Sequence, residues 1–101
     1  MRNYKKRLEE LREGISKDRH RLLCAFCRTT NAERLQIVDD VLTEEFGDDQ
    51  LARWIWLDVV EGYKWKRLEA MHIPCSIDAY RIYRARFYRA LHFKLGGGQG
   101  G

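Results

Sequence analysis

Proline occurs once in these 101 residues, as Pro74. A chain so poor in proline, with 34% charged and 12% aromatic residues, excludes long proline-rich disorder and favours helices. No apolar run approaches the roughly twenty residues that a membrane span needs, and the N-terminus is charged where a signal peptide would turn apolar. A soluble, cytoplasmic protein is the expectation. Three cysteines, an odd number, suit a reducing compartment better than a disulfide framework. No strand-like alternation bounded by turn residues is present. His20, His72 and His92 are dispersed, without a Ser/His/Asp set or a carboxylate pair in a recognisable context. Acid–base and nucleophilic catalysis therefore have no support, and we expect a non-enzyme without a cofactor. The glycine-rich stretch 96–101 has neither a strand before it nor a helix after it, so it reads as a flexible tail and not as a phosphate-cradling loop.

What is present is helical periodicity and an uneven charge distribution. Residues 1–50 carry ten Lys/Arg against eleven Asp/Glu, whereas residues 51–101 carry nine against four. The positive field is C-terminal and would draw a polyanion to that side. Tyr4, Leu8, Leu11 and Ile15 form a heptad-like stripe that Leu22 and Phe26 resume. Gly14 weakens its middle and Ser16 could cap a fresh start there. The stripe reads as packing against the rest of the chain, with a homodimer seam as the alternative. Thr30 and Glu33 are spaced as a capping box for an acidic amphipathic helix over 31–46, with Leu35, Val38, Leu42 and Phe46 inward, Asp39, Asp40, Glu44 and Glu45 outward, and an end near Gly47. From Asp49 the run through Trp54, Ile55, Trp56, Leu57, Val59 and Val60 is apolar on nearly every side. It reads as a buried supporting helix, with a strand as its rival.

The segment Trp65–Leu95 is the most specific. A short helix over 63–72 has Trp65, Leu68 and Met71 near one face. The turn Ile73, Pro74, Cys75, Ser76 follows, in which proline disfavours helical geometry in the residue before it and Ser76 is placed to cap the next helix. In that helix Tyr80, Tyr83, Phe87 and Leu91 share a core stripe. Asp78, Arg81, Ala85 and Arg89 lie roughly opposite, flanked by Arg84 and Arg86. An arginine face with a small Ala85 at its centre suits close approach to phosphates or to guanine edges in a groove. Ala70, Ile73, Cys75 and Ser76 take the places of the small, apolar, turn and capping residues of a helix-turn-helix.

Arg53 to Leu57, Gly62, Trp65, Leu68, Ser76, Tyr80, Arg81 and Arg89 to Leu91 resemble region 4 of RNA polymerase sigma factors. More narrowly they resemble small phage transcriptional regulators of the RinA and ArpU type, over about the last half of the chain. Pro74 departs from the glycine usual in that turn. Glu69 stands where an apolar residue is often found, a difference absorbed if Leu68 takes the buried place. The resemblance implies a phage-encoded, sequence-specific regulator of transcription that binds double-stranded DNA. With the arginine face, it makes Lys64, Lys66, Ser76, Ile77, Asp78, Arg81, Arg84, Ala85, Arg86 and Arg89 the candidate DNA contacts.

The expectation is an all-α protein of four to five helices: N-terminal bracing helices over 1–47, a helix-turn-helix domain over 48–95 and a tail over 96–101. Two other readings have a sequence basis. Cys24 and Cys27, with His72 and Cys75, have the composition of a Cys₃His zinc site. Both pairs would sit at helix ends without the tight turns of zinc knuckles, so no metal is expected. The acidic helix or the Trp-rich run could instead serve a protein-interaction module, such as a phage inhibitor of a host machine or an adaptor to RNA polymerase.

Overall fold

A computed structural model describes residues 4–47 and 50–97, and these are all-α, with six helices: α1 Tyr4–Arg12, α2 Lys17–Cys27, α3 Ala32–Phe46, α4 Gln50–Val59, α5 Trp65–Ala70 and α6 Ile77–Lys94. The helix start read at Asp49 lies outside the described residues, as do positions 98–101 of the tail. Among the described residues no helix is long and apolar enough to cross a membrane.

The sixth helix arises because the N-terminal stripe breaks. Gly14 takes φ 81°, and the Ser16 hydroxyl then accepts the Arg19 N–H at 3.1 Å to start α2. The break resets the helical phase. Leu23 and Cys27 consequently face the core, and Leu22, expected on the stripe, is 62% exposed. Leu8 and Leu11 of α1 are buried as expected, and they close around Ala85 of α6. The cap of α3 also differs from expectation by one residue. Asn31 Oδ1, not Thr30, accepts the Arg34 N–H at 3.0 Å, and Thr29 Oγ1 accepts the Asn31 N–H. Val38, Val41 and Leu42 form the buried face of α3, which ends at Gly47 with φ 64°.

The apolar run after residue 50 is helical. Ile55 and Val59 are fully buried, with Trp54 and Trp56 packed half-buried on the same core. Gly62, at φ 83°, turns the chain out of α4. A Cβ there would also meet the Arg28 guanidinium at 3.1 Å, where Arg28 Nε donates to the Val59 carbonyl at 3.0 Å.

α6 is the axis of the molecule, packed by α1, α2, α3 and α4. Its Tyr80, Phe87 and Leu91 belong to the buried core with Leu23, Val38, Ile55 and Leu68. Tyr88 joins them, whereas Tyr83 is only half-buried, edge-on to Phe46. Near its end the buried His92 accepts a hydrogen bond at Nδ1 from Arg19 Nε at 3.0 Å, and its carbonyl accepts the Gly97 N–H at 2.8 Å. Gly96 and Gly97, the described part of the tail, thus close the helix.

Candidate nucleic-acid interface

The turn between α5 and α6 is built from local backbone chemistry. The N–H of Ile73 returns to the Leu68 carbonyl at 3.1 Å and that of His72 to Glu69 at 3.0 Å, which is the Schellman closure of a helix. That closure requires a left-handed residue, and His72 supplies it at φ 66°. His72 thus occupies the position at which glycine is usual in such a closure, two residues before Pro74. Ile73 and Leu68 are buried together, the apolar contact that accompanies this motif. Glu69 is exposed and Leu68 takes the buried place, as the sequence required. Ser76 then caps α6, its hydroxyl accepting the Ala79 N–H at 3.2 Å.

Two features of the first helix differ from expectation. α5 is shorter than the segment 63–72 at both ends, because Lys64 is extended ahead of a start at Trp65 and the Schellman closure ends the helix at Ala70. Met71 is 43% exposed and Ala70 is exposed, so Ala70 is not the small residue at the crossing. The contact between the two helices runs through Trp65 and Tyr80 instead, with ring centroids 5.5 Å apart.

The arginines of α6 divide sharply. Among the described residues Arg81 pairs only with Asp78 on its own helix, at 3.8 Å with both side chains 42% exposed, a geometry worth little in water. Arg84 instead donates to Asp58 of α4 at 3.2 Å, on a carboxylate that also accepts the Tyr80 hydroxyl at 2.7 Å. Burial, followed by that hydrogen bond, pushes the Tyr80 hydroxyl well above the ordinary tyrosine range. Arg86 donates to Glu45 of α3 at 3.0 Å and lies over the Phe46 ring. Arg89 Nη1 reaches the carbonyls of Glu10, Leu11 and Glu13 at 3.4, 3.1 and 3.2 Å, closing the C-terminus of α1.

Ala85 and Arg89 therefore do not face a groove, because α1 lies along the side of α6 that periodicity left open. Arg84 and Arg86 are likewise occupied, by α4 and α3. The acidic face of α3 has internal partners too, since Lys94 holds Glu44 at 3.0 Å beside the Arg86–Glu45 pair.

Of the candidate contacts, Lys64, Lys66 and Ser76 are exposed, whereas Ile77, Asp78 and Arg81 are half-buried at the start of α6. Trp65, between Lys64 and Lys66 in sequence, packs its ring against Tyr80 in the first turn of that helix. The set omitted Arg67, which is exposed and lies over the Tyr63 ring at 3.7 Å. The run Lys64, Trp65, Lys66, Arg67 carried that signal.

The zinc set is not assembled. Cys27 is fully buried, and Cys24 contacts His20 and the Tyr88 hydroxyl, each at 3.5 Å. Cys75 is half-buried in the turn beside the exposed His72, and no group of three or more possible ligands occurs among the described residues. Comparison with protein-family models, with curated proteins and with solved structures found no match to this chain.

Proposed function

We propose that this chain is a non-enzymatic transcriptional regulator that binds double-stranded DNA in the cytoplasm, in a host cell if phage-encoded. The contacting surface is α5 and the first two turns of α6. The observation that carries this reading is the closed turn from Leu68 to Ser76. It presents the N-terminal end of α6, where Arg81 holds only a weak pair with Asp78, behind a helix that carries the exposed Lys66 and Arg67 and is preceded by the exposed Lys64. In helix-turn-helix proteins it is this end of the second helix that reads base edges, so loss of the distal arginines to internal pairing leaves the reading intact. The protein-interaction alternative draws less support, because the acidic side chains it would use on α3 are partly held by α6 and Trp54 and Trp56 of the Trp-rich run pack against the core.

The test is binding of random duplex DNA across a salt series, followed by sequence selection. Four cationic contacts imply a slope of about −3 to −4 in log K against log salt, flattening by about 0.9 for each lysine removed. Arg81→Ala should weaken binding by about 1–3 kcal/mol and relax specificity if the side chain reads a base. Absence of binding at low salt, with the fold intact, overturns the proposal. A stable protein partner recovered under those conditions would favour the alternative.

A further inference from the structure

Between the end of α1, the start of α2 and the middle of α6 lies a cleft of about 510 Å³, within the size range of small-molecule sites. Its apolar floor includes Leu11, Ile15 and Ala85, and the Tyr88 ring lies among them. Arg12, Lys17, Arg21 and Arg84 line it as well, and no carboxylate does. We propose that this cleft binds a small organic anion, a flat apolar body bearing a phosphate-type group, with the body on the floor and the anion among Arg12, Lys17 and Arg21, the three lining cations not held by α4.

The charge balance argues for an anion. Two of the lining cations pair with acids outside the cleft lining: Arg21 with Asp18 at 3.7 Å, where Asp18 is 91% exposed, and Arg84 with Asp58 on the α4 side. Neither closes the cleft. The α2 N-terminus adds the positive end of an eleven-residue helix, with Ser16 and Lys17 at the rim. His20 reports the same field. Burial first, then Arg12 and Arg84, lower its pKa, and Cys24 and Tyr88 are its uncharged neighbours. A bound anion would offset those cations and raise it. The apolar floor argues against a bare inorganic ion, because phosphate alone would leave that floor wet.

Phenyl phosphate is the minimal probe, with inorganic phosphate and phenol as its halves, followed by calorimetry and by NMR titration of His20. The expected result is that phenyl phosphate binds at least about tenfold tighter than either half and raises the His20 pKa, and that Lys17→Ala with Arg21→Ala weakens it about tenfold or more. Both substituted side chains are exposed, so circular dichroism should be unchanged. Equal binding of phosphate and phenyl phosphate overturns the proposal in favour of an unspecific cationic patch. Equal binding of phenol reduces it to an apolar dent, and no binding at millimolar concentration removes it. None of these outcomes bears on Lys64, Lys66 or Arg81, so this site and the DNA reading stand or fall separately.

Discussion

Replacing Arg89 with alanine removes the guanidinium that meets the Glu10 and Leu11 carbonyls at the end of α1 and the Glu13 carbonyl just beyond it. One nitrogen with two protons serves those acceptors, so the loss amounts to about two charge-assisted hydrogen bonds. At a half-buried site each is worth about 1 kcal/mol, below the 1.5–3 kcal/mol of well-buried cases. The interaction of the cation with the helix dipole adds roughly 0.3–1 kcal/mol. A loss of about 2–3 kcal/mol follows, which for a domain of this size lowers Tm by on the order of 10 °C. Urea denaturation followed by circular dichroism measures it directly. Arg81→Ala is the control, expected within about 0.5 kcal/mol of the parent because its partner is a half-buried aspartate one turn away on the same helix, at 3.8 Å. Arg89→Lys keeps the charge but not the planar fork and should fall between them. If Arg89→Ala and Arg81→Ala are equally stable, α1 is not held by this side chain and its placement along α6 is wrong.

Three further outcomes follow from other contacts. His92 is buried and accepts from Arg19, and burial, then Arg19 and Arg89, hold its pKa below 6.5. As pH falls through about 6.5 the unfolded chain takes up a proton that the folded one refuses, so stability should decline from there toward the folded pKa. His92→Gln should flatten that part of the profile. His72→Gly should stabilise by about 0.5–1 kcal/mol in thermal unfolding, since a non-glycine residue occupies the left-handed position; a loss would mean that the His72 side chain contributes contacts of its own. Burial pushes the Cys27 thiol up to about 12. A thiol reagent should therefore modify Cys27 only on the unfolding timescale, and fast labelling in native buffer would refute its burial.

The features legible in the sequence were those set by neighbours three or four residues apart. Ser76 as a cap, Tyr80, Phe87 and Leu91 as a core stripe, and the break between Gly14 and Ser16 all depend on local hydrogen bonding and helical periodicity. Leu22 was misplaced because a stripe extrapolated across that break keeps a phase that the chain abandons. The faces of α6 were harder still. A helical wheel separates Ala85 and Arg89 from the tyrosine stripe but cannot say that a second helix arrives on that side. The burial of Leu8 and Leu11 against Ala85 is a long-range fact, as are the pairings of Arg84 with Asp58 and Arg86 with Glu45. What reads as a polyanion-binding face in one dimension is, in three, largely the means by which α1, α3 and α4 are held.

That α6 is the axis has a consequence for how the molecule comes into being. It is the last of the six helices to be synthesised, yet every helix from α1 to α4 packs on it. Until residues 77–94 have left the ribosome, Leu8, Leu23, Val38 and Ile55 lack the surface that covers them in the finished fold. The earlier helices can form turn by turn, but their assembly waits for the final one. Folding should therefore be completed in one late step after translation of α6, and a nascent chain arrested before residue 77 should remain sensitive to protease along its whole length.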